Sequence, residues 1–208
     1  MTSGDFIKNI DKASQAPDNP YDVFKVWINE AMETEKPYPT AMSIASIDPD
    51  GTPSVRVVLM RHWDENGFVF YTNSTSRKGT ALKNTPKAGL NFWWPTLERQ
   101  VRIEGTVSPV STKQSDDYYA QRPRGSRIGA WASDQSSNLE SRSLLKERIA
   151  ELEKEYEGQE DIPRPEHWYG YCVKPFNIEF WQEGLYRIHT RLFYSKDDDG
   201  WKKQLLFP

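Results

Sequence analysis

Three potential cations alternate with other residues near the end of the chain, in the order Arg187-Ile188-His189-Thr190-Arg191. Successive side chains of a β-strand point to opposite faces, so a strand here places Arg187, His189 and Arg191 on one face. Like charges on neighbouring side chains repel each other unless an anion lies among them. The segment therefore predicts a site for a phosphate or carboxylate ligand, although an edge strand also carries such residues simply as solvated side chains.

Two further basic segments have the composition of anion sites. Arg56 and Arg61 lie within and at the exit of one predicted strand, on opposite faces, so they need not serve the same ligand group. Ser76-Arg77-Lys78 begins a predicted helix, where free backbone N–H groups, a hydroxyl and two cations together suit a phosphate. Solvated surface positions remain the alternative for both segments.

A third segment combines three arginines, a serine and a glycine over residues 122–127. Pro123 is expected to keep it from forming a regular helix, so we predict a loop folded around a phosphate, with a solvated loop as the alternative. Hydroxyl and amide groups suited to recognising the edge of a ligand follow at Ser133, Gln135, Ser136 and Ser137.

Aromatic residues accompany two of the polar positions. Gln100 follows the cluster Phe92-Trp93-Trp94, and Trp181 ends a predicted strand just before the alternating cations. An aromatic plane beside cations suits a flat, anionic, electron-accepting cofactor, although core packing explains the tryptophans equally well. No Gly-x-Gly-x-x-Gly motif follows a predicted strand, so a Rossmann dinucleotide site is not indicated.

The composition excludes several classes of protein. A net charge of −3 and a pI of about 5.7 over 208 residues provide no general basic field for nucleic acid. Cys172 is the only cysteine, so no internal disulfide forms, and it makes no metal-ligand spacing with His62, His167 or His189. No apolar run approaches the ~20 residues of a membrane span. We also find no signal peptide, and we therefore expect a cytoplasmic protein without a metal.

The hydrophobic pattern predicts one domain over residues 20–208, preceded by a flexible polar arm at residues 1–19. Helices are predicted from Pro20, with Asp18 or Asn19 as the N-cap, and over residues 76–84, 113–121 and 139–157. Strands are predicted over residues 40–47, 53–60, 68–72, 88–94, 98–107, 168–173, 178–181, 187–194 and 201–206. Many antiparallel strands with peripheral helices indicate a mainly β (α+β) protein built on a β-barrel.

Several short motifs occur in a fixed order from about Pro20 to the C-terminus. They are Arg56-Val57-Val58-Leu59, Phe70-Tyr71-Thr72-Asn73, Ser76-Arg77-Lys78, Leu97-Glu98-Arg99-Gln100-Val101, Arg122-Pro123-Arg124-Gly125-Ser126, Ile128-Gly129-Ala130-Trp131, Gln135-Ser136-Ser137 and Glu179-Phe180-Trp181-Gln182. In this order they resemble the pyridoxine (pyridoxamine) 5′-phosphate oxidase family of flavoenzymes. The resemblance implies an FMN-binding split β-barrel of Greek-key type, and a homodimer with FMN in two clefts between the subunits. It also implies oxidation of pyridoxine 5′-phosphate and pyridoxamine 5′-phosphate by O2 to pyridoxal 5′-phosphate, with release of H2O2.

The resemblance assigns roles to individual residues. Its FMN contacts fall on Arg56, Val57, Val58, Leu59, Met60, Arg61, Tyr71, Thr72, Arg77, Lys78, Gln100, Gln135, Ser136, Trp181 and Arg191. Its substrate contacts fall on Arg61, Tyr118, Arg122, Ser126, Arg187 and His189. Arg187 and His189 would be the catalytic pair, because they hold the pyridine ring against the flavin and stabilise developing charge.

Three positions and the N-terminal arm depart from the family pattern. Arg61 stands in place of a lysine, Thr190 in place of an aspartate, and Leu205 in place of an arginine in the C-terminal motif. The arginine- and tyrosine-containing arm that covers the substrate in relatives is not recognisable in residues 1–19.

Two other functions stay open at this point. One is an FMN oxidase of another ring substrate, of the phenazine-biosynthesis type, and the other is a flavin- or pyridoxal-phosphate-binding module without turnover.

Overall fold

The computed structural model describes residues 4–208, and its regular elements form one antiparallel sheet with five α-helices around it. The helices are α1 Pro20–Thr34, α2 Arg77–Asn84, α3 Thr112–Ala120, α4 Arg124–Ala132 and α5 Arg142–Glu155. The strands are β1 Ala41–Ile47, β2 Pro53–Leu59, β3 His62–Asp64, β4 Gly67–Asn73, β5 Lys87–Trp94, β6 Arg99–Pro109, β7 Trp168–Gln182, β8 Thr190–Asp197 and β9 Gly200–Leu206. No described helix is long and apolar enough to cross a membrane.

The sheet curls into a barrel because one segment belongs to both of its edges. The strand order is β2-β1-β5-β6-β7-β4-β3, and only residues 60 and 61 separate β2 from β3. The Met60 N–H donates to Thr40 O (2.9 Å), beside β1, whereas the Arg61 N–H donates to Val69 O (2.8 Å) of β4. The chain thus changes partner between two consecutive residues and joins the two edges. The predicted β-barrel is confirmed, and β8 and β9 extend the sheet from β7.

The barrel encloses a continuous aromatic core that α1 closes. Phe24 of α1 lies 4.9 Å from Phe68 and 5.5 Å from Phe92, measured between ring centroids. Trp27, fully buried, meets Phe180 edge to face at 5.3 Å. The predicted cap of α1 forms, since the Asn19 side chain accepts from the Tyr21 N–H. Side chains that point away from this core remain available for ligands and for other protein surfaces.

Two predicted strands, over residues 168–173 and 178–181, are in fact one long strand. β7 runs from Trp168 to Gln182 and pairs with β6 along most of its length. The register shifts after Glu104, where Phe176 is left without a partner residue. A β-bulge of this kind accommodates one extra residue without ending the ladder. Pro175 and the break in alternation around it had suggested two strands.

The polar arm predicted at residues 1–19 packs against the barrel over its described part. It forms two short 3-10 turns, Gly4–Asn9 and Ala13–Gln15, and Ile7 is fully buried. The Tyr194 hydroxyl donates to Pro17 O at 2.8 Å, and Lys203 Nζ donates to Ala16 O. Residues 1–3 of the predicted arm lie outside the described residues. One buried isoleucine was too weak a signal in a polar sequence to predict this docking.

Candidate active site

A cleft of about 510 Å³ lies between β2, β4, α3 and α4. Its charged lining residues are Arg56, Arg61, Lys78 and Arg122, and none of the described lining residues is an aspartate or glutamate. The remaining lining residues are Val57, Val58, Leu59, Tyr71, Thr72, Asn73, Tyr118, Ser126, Gly129, Ala130, Ser133, Gln135 and Trp168. Four cations around one cavity without a counter-charge repel each other, so the cleft is built for an anion.

Lys78 reaches the cleft from the first turn of α2. The Ser76 hydroxyl caps this helix by accepting from the Gly79 N–H, and Lys78 is only 9% exposed. Its Nζ donates to Thr72 Oγ1 (3.0 Å) and to Gln135 Oε1 (2.8 Å). Burial, followed by repulsion from Arg56, lowers the pKa of Lys78 to about 8. A phosphate at this position would supply the negative charge that these neutral partners do not.

Arg56 faces the same space from β2. Its guanidinium donates to the hydroxyls of Ser46 (2.7 Å) and Ser54 (2.6 Å), which are neutral partners. Burial lowers the pKa of Arg56, the nearby Asp48 carboxylate partly opposes this change, and Arg77 adds to it. The two hydroxyls fix the position of this cation while leaving its charge available to a ligand.

Arg77, by contrast, is already paired. Its Nε donates to Asp48 Oδ2 at 2.8 Å, and this ion pair raises the pKa of Arg77. Arg77 and Ser136 line an adjoining cavity rather than the cleft, and Gln135 lines both spaces. The predicted phosphate-binding segment Ser76-Arg77-Lys78 is therefore divided. Lys78 points into the cleft, and Arg77 is held at the outer side of the cleft by Asp48.

Stacked aromatic rings form one wall of the cleft. The Tyr71 ring lies 4.0 Å from Tyr118 and 5.1 Å from Trp168, with interplanar angles of 13° and 9°. Gly170 makes the stacking possible, because a Cβ at that position would lie 2.6 Å from Cε1 of Tyr71. Burial raises the pKa of Tyr71. Flat, parallel rings at the edge of a cationic cavity suit a flat ring that carries a negative group.

Arg122 carries the clearest sign of a missing ligand, because its buried Nη1 has no hydrogen-bond partner within the described chain. Its guanidinium lies over the rings of Trp168 (4.7 Å) and Tyr119 (5.6 Å), and burial lowers its pKa. A buried donor without a partner is costly, so this atom points to a missing acceptor. Ser126 lines the same cleft from the first turn of α4, where its own N–H donates to Pro123 O (2.8 Å) and its hydroxyl adds a polar group to the lining.

The prediction that Pro123 keeps residues 122–127 irregular was wrong. Pro123 stands at the N-cap of α4, which begins at Arg124. Proline is tolerated at the start of a helix because its missing N–H has no acceptor there. The segment therefore presents Arg122 and Ser126 from a rigid helix start instead of a flexible loop.

The prediction that Arg187, His189 and Arg191 share one strand face was also wrong. β8 begins only at Thr190, and Leu185–Arg187 form a 3-10 turn in which Tyr186 and Arg187 have φ angles of 56° and 65°. Positive φ angles interrupt the alternation of a strand. The repeating charge pattern carried no sign of this turn, and the one local signal was Gly184, directly before it.

A second group of predicted residues gathers around this turn, away from the cleft. The His189 ring lies 4.5 Å from Trp181, and the Gly184 N–H donates to His189 Nδ1 at 3.3 Å. This bond leaves the proton of a neutral imidazole on Nε2. Gln100 pairs with Trp181 across β6 and β7. Arg187 is exposed and lines a different cavity.

Arg191 belongs to the second group, but its positive charge is balanced by the carboxylate of Glu179. Its Nε and Nη2 donate to the two carboxylate oxygens of Glu179 at 2.7 and 3.0 Å. This bidentate hydrogen bonding raises the pKa of Arg191. An aspartate at position 190 is therefore not the only means of balancing these cations, since Glu179 performs that role for Arg191.

The cleft brings together twelve of the residues that the family resemblance assigned. They are Arg56, Val57, Val58, Leu59, Arg61, Tyr71, Thr72, Lys78, Tyr118, Arg122, Ser126 and Gln135. Met60 does not line it, because its side chain is 4% exposed and packs in the core. Asn73, Gly129, Ala130 and Trp168 were missed as lining residues. Trp168 had a weak signal in the sequence, because it begins a predicted strand. Its pairing with Asn73, beside the motif that contains Tyr71, is known only from the structure.

The two groups lie at opposite ends of β7. Trp168 belongs to the cleft and Trp181 to the second group, and an extended strand advances ~3.3 Å per residue, so they are separated by roughly 40 Å along the strand. One ligand cannot contact both groups of the same chain.

Among the described residues, no group of three or more His, Cys, Asp or Glu side chains is placed to hold a metal ion.

The fold and the cleft together define a split β-barrel protein with a cationic cleft. Two family profiles match it: "Pyridoxamine 5′-phosphate oxidase" over residues 28–156, and "Pyridoxine 5′-phosphate oxidase C-terminal dimerisation region" over residues 168–208. The chain belongs to the pyridoxamine 5′-phosphate oxidase family, as the sequence motifs predicted.

Relatives are similar along nearly the whole chain. The pyridoxine/pyridoxamine 5′-phosphate oxidase of Gloeothece citriformis is 53% identical and covers 88% of this chain and 85% of its own length. That of Pelagibacter ubique is 50% identical over 91% of this chain and 92% of its own. Among solved structures, PhzG from Burkholderia lata 383, in complex with tetrahydrophenazine-1-carboxylic acid, has a TM-score of 0.88 and 32% identity. It covers 94% of this chain and 96% of its own. An FMN-binding protein from Nostoc punctiforme (TM-score 0.70, 16% identity, 88% and 95% covered) shares the fold.

Proposed function

We propose that this protein oxidises pyridoxine 5′-phosphate and pyridoxamine 5′-phosphate to pyridoxal 5′-phosphate, with FMN as cofactor and O2 as electron acceptor, in the cytoplasm. Family membership and relatives of about 50% identity support the activity. The observation that carries the proposal is the cleft without carboxylates among its described lining residues, in which a buried Arg122 nitrogen has no partner. A phosphorylated ligand supplies the missing acceptor.

The donor set of the cleft suits FMN together with a second phosphate. Lys78 and Arg56 lie on one side and would bind the flavin phosphate, with Arg77, Ser136 and Gln135 at the outer edge. Arg122, Ser126 and Tyr118 lie on the other side and would bind the substrate phosphate. Arg61, exposed and 6.0 Å from the Tyr118 ring, would contact both ligands. When bound, FMN supplies the hydride acceptor and passes two electrons to O2, which leaves as H2O2.

The second group completes the site only if it comes from another copy of the chain. Trp181, Gln100, Arg187, His189 and Arg191 lie too far from the cleft of their own chain. The match of residues 168–208 to a dimerisation region supports a homodimer in which these residues face the partner's cleft. Each dimer then has two composite sites.

Arg187 and His189 would act by position and charge. His189 is held by Trp181 and by the Gly184 N–H, so its Nε2–H is available to donate to the substrate. Arg187 carries a permanent cation on an exposed turn, where it can lie against the pyridine ring. Together they would orient the C4′ carbon towards the hydride acceptor and stabilise the charge that develops during the transfer.

One assay tests the activity against both alternatives. The purified protein should show the visible spectrum of bound flavin and release H2O2 with either phosphorylated substrate. Absence of flavin would overturn the cofactor assignment, and flavin without peroxide would favour a binding module. Turnover of a phenazine precursor in preference to pyridoxine 5′-phosphate would favour the PhzG-like function instead.

Subunit complementation tests the composite site. We expect Arg122→Ala and Arg187→Ala homodimers to be weakly active, because each lacks one half of both sites. A mixed dimer contains one site with both defects and one site with neither, so refolding the two variants together should restore up to about a quarter of wild-type activity. A mixture no more active than the separate variants would show that both residues serve the same chain's site.

A further inference from the structure

A buried ionic cluster around Arg99 lies at the end of β7, next to Gln100 and Trp181 of the second group but built from other residues. Arg99 is 2% exposed, and its guanidinium lies 4.8 Å from the centre of the Trp27 ring. Nη1 donates to Glu30 of α1, Nη2 to Asp5 of the N-terminal turn (3.0 Å), and Nε to Gln182 Oε1 (2.9 Å). One planar cation thus joins three separate parts of the chain.

Gln182 is the point at which β7 ends. It is fully buried, and its Nε2 donates to the carbonyl oxygens of Leu97 (3.3 Å) and Glu98 (3.2 Å). The Glu183 N–H donates to Glu98 O at 3.0 Å. Arg99 lies directly opposite Gln182 in the ladder of β6 and β7. The exit of the chain from β7 is therefore fixed by side-chain bonds as well as by the ladder.

The turn that follows has few buried side chains to hold it. Leu185, Tyr186 and Ile188 are 82%, 93% and 69% exposed. The turn is also tight, because a Cβ on Gly184 would lie 1.9 Å from Ile188 O. A compact turn with exposed side chains takes its position from its two ends, and the first end is Gln182.

We propose that Arg99 is a positioning residue for the reaction, which acts through Gln182 to place the turn that carries Arg187 and His189. This inference rests on the proposed function of those two residues. An arginine is required because its three nitrogens are spread over a planar fork and reach Asp5, Glu30 and Gln182 separately, whereas the three donors of a lysine share one nitrogen. The same fork ties the N-terminal turn to the far end of β7, so the docking of the arm and the geometry of the site depend on one side chain.

Two variants separate positioning from stability. Arg99→Lys keeps a cation for the carboxylates but cannot also reach Gln182, and Gln182→Met leaves the ion pairs of Arg99 intact while it removes their link to β7. Lys203→Met is the matched control, because Lys203 anchors the arm through Ala16 O and Asp18 and belongs to β9, away from the end of β7. The holoenzymes are compared by KM and kcat for pyridoxine 5′-phosphate, FMN content and Tm.

We expect KM to rise about tenfold in Arg99→Lys and in Gln182→Met, equal to about 1.4 kcal/mol, with FMN still bound. Lys203→Met should lower Tm but leave KM unchanged. A wild-type KM in Gln182→Met, whether or not Arg99→Lys folds, would overturn the inference and leave Arg99 a purely structural residue.

Arg187→Ala and His189→Ala, measured in the same series, separate this failure from a failure of the proposed function. If they raise KM while Gln182→Met does not, only the positioning role is lost. If they also leave KM unchanged, the catalytic assignment of the turn is wrong, and the positioning role falls with it.

Discussion

The depressed pKa of Lys78 predicts that FMN binding weakens as the pH rises. Lys78 has a pKa of about 8 because it is buried and faces Arg56, so it is charged at pH 7 and mostly neutral at pH 9. The flavin phosphate is dianionic at both pH values, since its second pKa lies near ~6. If only the charged lysine binds the phosphate, the apparent Kd scales inversely with the charged fraction, which falls about tenfold between these pH values.

The assay is titration of apoprotein with FMN at pH 7, 8 and 9, followed by quenching of flavin fluorescence. The wild-type Kd should increase about tenfold over this range. Lys78→Arg is the matched control, because a guanidinium stays charged throughout, so its Kd should be nearly constant. A constant wild-type Kd, or an equal slope in Lys78→Arg, would refute the assignment of Lys78 to the flavin phosphate.

The lowered pKa of Lys78 also predicts how the stability of the apoprotein changes with pH. The folded pKa of about 8 lies below the ordinary value of 10.5, so the unfolded chain binds more protons between these pH values. Stability of the apoprotein should therefore rise as the pH increases from about 8 to 10.5. The full shift corresponds to about 3 kcal/mol, which solvent in the open cleft reduces to about 1–2 kcal/mol. Lys78→Met should stabilise the apoprotein at pH 7 by that amount, measured by urea denaturation, while it weakens FMN binding.

Three further variants probe other parts of the molecule. Arg122→Met should raise KM for pyridoxine 5′-phosphate by about 10- to 100-fold with flavin content unchanged, since a charge-assisted hydrogen bond contributes about 1.5–3 kcal/mol; unchanged peroxide kinetics would contradict this. Gly184→Ala should reduce kcat/KM at least about tenfold with little change in Tm, because the new Cβ displaces the exposed turn and not the core; wild-type kinetics would show that the turn tolerates the displacement. Tyr194→Phe should lower the free energy of unfolding by about 1 kcal/mol through loss of the bond to Pro17 O, and equal denaturation midpoints would exclude that contribution.

The barrel was predictable because its signals are local. Alternation of apolar residues and turn sequences such as Asp48-Pro49-Asp50-Gly51 define most strands, and Asn19 and Ser76 cap the helices as expected. The closure of the barrel at Met60 and Arg61 was not predictable. The backbone of these consecutive residues changes from one neighbouring strand to another, and no side-chain pattern marks such a change. Pro123 was misread for a related reason, since proline both ends and begins helices.

For the site, residue types were predictable and their grouping was not. Arg187, His189 and Arg191 suggested one anion site, yet the structure gives Arg191 a carboxylate partner and puts Arg187 on a turn. Ion pairs between diagonal neighbours on paired strands, such as Arg191 of β8 with Glu179 of β7, depend on register that the sequence does not specify. The resemblance to the family assigned Lys78 to FMN and Arg122 to the substrate, but only the geometry shows that both line one cleft without a carboxylate among its described lining residues.

The length of β7 has a consequence for the dimer as a working unit. In the composite arrangement, each β7 starts at its own chain's cleft with Trp168 and ends with Trp181 at the partner's. In the proposed dimer, a single hydrogen-bonded strand would therefore span from one active site to the other. A displacement of such a strand along its axis would reach both proposed sites at once. We therefore expect occupancy of one proposed site to alter ligand affinity at the other.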